Sequence, residues 1–276
     1  MVLSREQQER EALRQYAAEA LRGLYTGAPI ASPFVGGRAA GLRRLQAFDV
    51  RRYNATHNHV PDGETSRLSP YIRHGLLSLR EVRDSVVERF GAATSRGFVM
   101  QLLWRVFWHL LYRERSMASA VDGALAAAES EEAAVAESGS SASEAAAPGG
   151  RAPRFGTYGL YCIDESLRCL RETGFLSYQS RLWIASYLLH WQRVDWREGF
   201  RYFQEHLVDA DSVVNALSWR WVLGEISGRP YFFNRARVEQ CTDGEYCARC
   251  TVYRCPFEGS LAAVEERARR PGAMIR

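Results

Sequence analysis

The chain has 276 residues, of which 46% are hydrophobic, 12% aromatic and 25% charged. This is the composition of a globular protein, and it excludes a disordered chain, a fibrous one and a disulfide-stapled miniprotein. The net charge is +4, and every basic side chain except histidine is an arginine. Six acidic residues lie between positions 118 and 147, and without them the chain carries 36 basic against 26 acidic residues, a net charge of +10. Arginine binds phosphate well, so a polyanionic partner is physically reasonable.

No apolar run approaches the ~20 residues that a membrane span needs. The N-terminus, MVLSREQQEREALRQY, is charged and has no apolar signal core. We therefore expect no membrane segment and a cytoplasmic location. In such a reducing compartment, clustered cysteines hold metal more often than they form disulfides, and this chain has six.

The first half of the chain shows three helical patterns. Residues 5–24 predict a surface helix, and the apolar residues from 42 to 53 predict a second one. The third is the clearest, because Ser78 is a typical N-cap, Glu81 completes a capping box and Gly91 ends the apolar stripe.

The next helical pattern, residues 98–112, is apolar and aromatic on all sides, which predicts a buried helix. Residues 117–150 consist mainly of Ala, Ser, Glu and Gly, and we interpret them as a flexible acidic insertion. Helical patterns resume at 162–173, 180–191 and 197–207, and no period-2 strand pattern persists anywhere. The predicted fold is all-α, a single helical domain interrupted by one loose loop.

This interpretation divides the chain into five segments. They are an N-terminal helix and loop (1–37), a first helical half (38–116), the insertion (117–150), a second helical half (151–237) and a cysteine-rich tail (238–276).

Two segments carry polar groups suited to a nucleotide. Thr65–Ser69 places consecutive hydroxyls and an arginine before a helix, an arrangement that can cradle phosphate. Asp209, Asp211 and Asn215 surround a presumed helix start, where they could hydrogen-bond a heterocycle and pair with Arg181. The simpler alternative is an N-cap plus a buried ion pair.

Four ordered motifs make the chain resemble a known family. TSRLSPY, LLWRVFWHL, DWREGFRYF and VDADSVVNALSWRW follow one another between about residues 40 and 235. Together they resemble the FAD-binding domain of the photolyase/cryptochrome family. The resemblance implies a bent FAD enclosed by the two helical halves.

The resemblance also implies a role for individual residues. Arg181 would pair with Asp209 beside the isoalloxazine ring, Asp211 would lie on the adenine and ribose side, and Asn215 would face flavin N5. Trp219 and Trp196 would be the inner members of the family's electron-transfer chain. The remaining implied flavin contacts are Tyr53, Thr65, Ser66, Arg67, Leu68, Ser69, Gln101 and Arg105.

The activity implied is light-driven repair of pyrimidine dimers in DNA, with Trp104 packing against a flipped lesion and Trp221 as a possible opposite wall. Gln101 replaces the glutamate that usually contacts the lesion, and Ser177 and Tyr178 replace a histidine-containing pair. These changes make (6–4) repair less expected. They also leave open a cryptochrome-type light or redox sensor that acts through a protein partner. Only about 40 residues precede the first motif, so we expect no antenna chromophore in this chain.

The tail contains a second constellation. Cys247 and Cys250 form a CxxC pair, and Cys255 precedes a proline. The tail resembles the iron–sulfur bacterial branch of the same family, which implies a [4Fe–4S] cluster with Cys162 as the natural fourth ligand and Cys169 as its substitute. A local zinc site with Cys241 as the fourth ligand is the alternative.

Overall fold

The coordinates are a computed structural model that describes residues 5–24, 30–114, 123 and 155–270, so the predicted insertion lies almost wholly outside the described residues. Every regular element in these parts is an α-helix, and no strand occurs there, as the sequence predicted. The helices are α1 (Arg5–Ala20), α2 (Arg38–Ala47), α3 (Val50–Thr56), α4 (Ser69–Arg73), α5 (Leu79–Phe90), α6 (Ala92–Arg113), α7 (Tyr161–Thr173), α8 (Tyr178–His190), α9 (Trp196–His206), α10 (Ser212–Leu223), α11 (Arg235–Thr242), α12 (Glu245–Arg249) and α13 (Leu261–Arg269).

The first half of the chain builds one apolar core from α2 to α6. The capping box of α5 is present, because the Ser78 hydroxyl accepts from the Glu81 amide at 3.0 Å. Asp49 caps α3, and the single helix expected between residues 42 and 53 is therefore two helices that meet at this residue. Phe48 and Phe98 pack with ring centroids 4.7 Å apart and join α6 to this core.

The second half builds a separate and larger core from α7 to α13. Helix α8 lies at its centre, and its side chains are buried almost all round, which explains why its sequence is apolar on every face. Helix α9 packs against α10, and the tail covers the core through Val238 of α11, Val264 of α13 and Phe257 between α12 and α13.

Helix α6 corrects one expectation. The all-round apolar pattern of residues 98–112 predicted a buried helix, but Met100, Leu103, Trp104 and Phe107 are each between 43% and 50% exposed. The inner face of α6 packs against α3 and α5 and also against α10. Aromatic content alone was therefore a poor guide to burial on this helix.

The contact between α6 and α10 brings the two cores together. Polar contacts also connect the halves: Ser32 donates to the carbonyl of Thr173 at 2.6 Å, and a ring nitrogen of His74 lies 3.2 Å from the carbonyl oxygen of Val208. None of the described helices is long and apolar enough to cross a membrane.

Candidate functional site

A cavity of about 310 Å³ lies between the two cores. Loop 65–69 and α6 form one side, and α8, α10 and the residues that lead into them form the other. Fifteen of the residues singled out from the sequence line it: Tyr53, Thr65, Ser66, Arg67, Leu68, Ser69, Gln101, Trp104, Arg105, Ser177, Tyr178, Arg181, Asp209, Asn215 and Trp219. The two halves of the chain thus enclose a cavity where the resemblance implied one.

An ion pair stands in this cavity. The Arg181 guanidinium lies 3.0 Å from a carboxylate oxygen of Asp209, and the Asp209 side chain is almost fully buried. Burial opposes ionisation of Asp209, but the charge of Arg181 and hydrogen bonds from Arg181 and Ser69 outweigh it. The net effect lowers the pKa of Asp209. A permanent charge pair is therefore held inside the cavity.

Asp211 lies behind the cavity wall and does not line it. Its carboxylate caps α10 by accepting from the Val214 amide at 3.1 Å, and it pairs with Arg105 of α6. A ring nitrogen of His109 lies 3.3 Å from the same carboxylate. Asp211 thus fixes α6 to α10 and orients Arg105, which does line the cavity.

Asn215 lines the cavity from the first turns of α10, and all of its described hydrogen bonds go to protein groups. Its Nδ2 donates to the carbonyl of Phe200 at 3.0 Å and to Oε1 of Gln204 at 3.3 Å. Its Oδ1 accepts from the indole nitrogen of Trp219 at 3.1 Å. The buried indole of Trp219 is therefore tied directly to the Asn215 amide.

Loop 65–69 has backbone groups free to bind a ligand. Among the described residues, the structure gives no hydrogen-bond acceptor to the backbone amides of Thr65, Ser66 and Arg67. Arg67 has φ 49°, and its guanidinium carbon lies 5.3 Å from the ring centroid of Phe175. The backbone turns sharply here because Arg67 adopts a left-handed conformation. Free amides in such a turn form a nest for an anion.

Several cavity residues were missed by the sequence reasoning. Trp108 lines the cavity next to Trp104, with ring centroids 6.1 Å apart. Residues four positions apart on a helix are neighbours, so the position of Trp104 would have predicted that Trp108 lies beside it. Trp221, considered as a second wall, is absent from the cavity lining and packs on Tyr231 instead, at 5.8 Å. The other unpredicted lining residues include Phe98, Phe175, Phe203, Ser218 and Val222.

Trp196 lies outside the cavity lining, at the start of α9. It is 6% exposed, and the guanidinium groups of Arg197 and Arg220 lie 4.9 Å and 5.9 Å from its ring. Gln101 is exposed at the cavity rim, while Ser177 caps α8 through the Ser180 amide.

A second cavity of about 640 Å³ lies between α7 and the tail. Its lining includes the four cysteines expected to bind metal, Cys162, Cys247, Cys250 and Cys255. The pKa of Cys162 is raised well above its usual value, mainly because the thiol is buried and also because the sulfurs of Cys255, Cys250 and Cys247 are near. No three His, Cys, Asp or Glu side chains among the described residues are close enough together to hold one metal ion. The four thiols therefore surround a space rather than converge on a point.

The other two cysteines lie elsewhere. Cys241 is 2% exposed and is not part of the lining of the second cavity. The thiol of Cys169 donates to the carbonyl of Phe175 at 3.5 Å, and this residue is also absent from that lining. Of the three candidates for a fourth ligand, Cys162 is the one that lines the same cavity as the CxxC pair.

A mostly apolar cavity with a few polar groups, set between two helical halves, is suited to a bound cofactor. The family described as "FAD binding domain of DNA photolyase" matches residues 98–249, which is more than half of the chain. The chain belongs to the photolyase/cryptochrome family, as the motifs indicated.

Individual relatives agree with this assignment. A deoxyribodipyrimidine photo-lyase of Streptomyces griseus is 32% identical over 192 residues, covering 68% of this chain and 39% of that protein. A cryptochrome DASH of Natronomonas pharaonis is 27% identical over 239 residues, and the match covers 77% of this chain and 45% of that protein. The crystal structure of a bacterial class III photolyase from Agrobacterium tumefaciens shares the fold, with a TM-score of 0.62 and 23% identity. The match covers 87% of this chain and 52% of that one. The chain thus spans about half, or less, of the proteins it matches.

Proposed function

We propose that this chain binds FAD between its two helical halves and uses it for light-driven repair of pyrimidine dimers in DNA. The observation that carries the proposal is the cavity itself. It joins Asn215 and the Arg181–Asp209 pair, whose carboxylate is buried, to the half-exposed indole of Trp104.

The residues present fit a flavin dinucleotide. The free amides and hydroxyls of Thr65 and Ser66 suit a pyrophosphate, and Arg67 adds a positive charge. Arg181 and Asp209 offer a donor and an acceptor to the polar edge of a heterocycle. Apolar side chains such as Phe203 and Val222 would pack on its faces. Few lining groups are charged, as is typical of cofactor pockets.

Bound reduced FAD would, when excited by light, supply an electron that opens the two C–C bonds of the cyclobutane ring and would then take it back, so there would be no net oxidation. Trp104 would stack on the lesion once it is flipped out of the duplex, because its ring stands half exposed at the cavity. The adjacent ring of Trp108 extends that aromatic surface. The arginine-rich remainder of the chain, with its net charge of +10, favours contact with DNA phosphates.

Trp219 and Trp196 are proposed as the electron-transfer residues. Trp219 is buried, lines the cavity and is held by Asn215. Trp196 lies further out beneath two guanidinium groups. Both guanidinium groups are paired with carboxylates, Arg197 with Asp195 and Arg220 with Glu225.

We also propose a [4Fe–4S] cluster held by Cys162, Cys247, Cys250 and Cys255. Four thiolates on one zinc ion lie about 3.8 Å apart, since each Zn–S bond is about 2.3 Å. The four cysteines line one cavity of about 640 Å³ together with other residues of α7 and the tail, and no trio of described ligands is close enough to hold one ion. The resemblance of the tail to the iron–sulfur branch is what supports the cluster, which would connect the tail to α7.

Metal analysis tests this second proposal. Anaerobically purified protein is expected to contain about four irons and four sulfides per chain, and Cys162→Ser should lower both strongly. Cys241→Ser is the matched control, because this buried cysteine lies outside the lining, and it should retain the iron. Stoichiometric zinc, or iron loss on changing Cys241 but not Cys162, would show that the ligand set is wrong.

Repair is tested with FAD-loaded, reduced protein and an oligonucleotide that contains one cyclobutane dimer. Blue light should restore the intact pyrimidines, and a dark control should not. Trp104→Ala should weaken binding of the damaged oligonucleotide by about tenfold, the loss of one base–aromatic stacking interaction of roughly 1–3 kcal/mol, while bound FAD is retained. Leu103→Ala is a matched control, because Leu103 is as exposed as Trp104 on the same helix but does not line the cavity.

A cryptochrome-type sensor is the second candidate. Gln101 at the cavity rim lacks the carboxylate of the residue it replaces, and the cryptochrome DASH match covers 77% of the chain. Photoreduction of FAD without loss of dimers in the oligonucleotide assay would favour this candidate over repair.

A further inference from the structure

The outer side of α6 carries an apolar stripe that no described helix covers. The inner side packs on α3, α5 and α10, where Phe98 joins the first core and Arg105 pairs with Asp211. The opposite side faces outward, and its four apolar side chains are between 43% and 56% exposed. We call the six exposed residues on this side the outer stripe: Arg96, Met100, Leu103, Phe107, Leu110 and Glu114.

The spacing of the outer stripe is that of a coiled coil. Its members follow one another by four, three, four, three and four residues, which is the alternation of the a and d positions in a heptad. Arg96 and Glu114 each lie nine residues, or about two and a half turns, from Arg105, so both ends of the stripe point away from the inner side. Glu114 is the C-cap of α6 and has φ −64°, a helical value, so its Cβ continues the line of the stripe.

The outer stripe is complementary to itself when two copies run antiparallel. A two-fold axis level with Arg105 places Met100 against Leu110 of the second copy and Leu103 against Phe107 of the second copy. The same axis places Arg96 against Glu114 of the second copy, so four apolar layers are closed at each end by opposite charges. In a parallel pair, by contrast, Arg96 would meet Arg96 and Glu114 would meet Glu114.

The residues at the ends and centre of the stripe are suited to this pairing. Within the described ranges, neither Arg96 nor Glu114 forms an ion pair or a side-chain hydrogen bond. Near the centre, the Phe107 ring already packs on Trp104 and Trp108, with ring centroids 5.4 Å and 5.2 Å away. Because Phe107 is held in place before the second copy arrives, it should lose little side-chain freedom on association.

We propose that α6 pairs antiparallel with α6 of a second copy of this chain and forms a symmetric dimer along the outer stripe. None of the six residues lines the FAD cavity, so the dimer does not depend on the proposed function. From Arg96 to Glu114 the paired region is about 27 Å long, which makes a small interface. We therefore expect a dissociation constant on the order of 10 µM.

Sedimentation equilibrium of the full chain tests the dimer. The wild-type chain should be mostly dimeric at about 100 µM and mostly monomeric at about 1 µM. Leu110→Gln puts an amide into two of the four apolar layers, so it should weaken association at least about tenfold and leave the unfolding temperature of the dilute chain unchanged. A wild-type chain that stays monomeric at about 100 µM would overturn the proposal. A lower unfolding temperature of dilute Leu110→Gln would also overturn it, because another part of the same chain would then cover the stripe.

Charge reversal tests the antiparallel register. Arg96→Glu and Glu114→Arg each create like-charge contacts at both ends, and each should weaken self-association by about tenfold. An equimolar mixture of the two variants should associate like the wild type, because every end then joins a glutamate to an arginine. Arg80→Glu makes the same charge change on the exposed side of α5 and should have no effect. If the mixture does not recover association, or if Arg80→Glu weakens it equally, the pairing along the outer stripe is wrong.

Discussion

The Arg181–Asp209 pair should contribute measurably to the stability of the folded chain, and this contribution can be tested directly. Arg181→Leu leaves the Asp209 carboxylate buried without its main partner, and breaking a buried pair in this way typically costs 3–5 kcal/mol. The Arg181 side chain is 27% exposed, so water can partly replace it, and we expect about 2–3 kcal/mol. For a chain of this size that corresponds to a fall in Tm of about 5–10 °C.

The assay is thermal unfolding of flavin-free protein followed by circular dichroism, together with an FAD titration. Arg168→Leu is the matched control, because Arg168 is 51% exposed and pairs with Glu165 and Glu172 on its own helix, so its loss should cost less than about 1 kcal/mol. Removing both charges with Arg181→Leu and Asp209→Leu should recover most of the stability, since no unpaired charge remains, but should leave FAD binding weak. The reasoning is refuted if the single variant unfolds at the wild-type temperature, or if the double variant is no more stable than the single one.

Two further predictions concern α9 and α8. Gly199→Ala would place a Cβ against the Trp219 ring, so we expect the free energy of unfolding to fall by about 1–3 kcal/mol and the tryptophan fluorescence to change. Gly97→Ala is the control, because its Cβ would meet the end of the Asn54 side chain and the change should be neutral or slightly stabilising. Equal unfolding temperatures for the two variants would contradict this packing. Burial lowers the pKa of His190 from 6.5 to about 4, so the unfolded chain binds an extra proton between these values and stability should fall as the pH drops from 6.5 to 4. His190→Gln should flatten that part of the stability profile measured by urea titration, and an equally steep profile would show that His190 is not responsible.

The sequence predicted the parts of this molecule whose signals are local. The capping box at Ser78 and Glu81 depends on residues three apart, so it could be identified without knowing the fold. The Arg181–Asp209 pair is not local, because 28 positions separate its members. The residues suggested this pairing, but they left a heterocycle-binding site and an N-cap with a buried ion pair as alternatives, and the ordered motifs favoured the first through their resemblance to a family.

What the sequence could not supply was which face of each helix meets which neighbour. The residues of α6 are apolar on all sides, and only the packing of its inner face on α3, α5 and α10 shows that Leu103 and Phe107 are left exposed. Gln204 illustrates the same limit. A glutamine on an amphipathic helix predicts a solvated side chain, and nothing in its spacing indicates that it reaches Ala210 and Asn215.

The close approach of α9 and α10 explains why these features occur together. Gly199 has no side chain, so the Trp219 ring can lie directly against the backbone of α9. With the ring in that position, its indole nitrogen reaches Asn215 Oδ1 and leaves the NH₂ group of Asn215 to Phe200 and Gln204 of α9. A larger residue at position 199 would displace the ring and, with it, the indole donor that holds Asn215 in the cavity wall. The chemistry of the site therefore depends on a glycine that makes no polar contact with it.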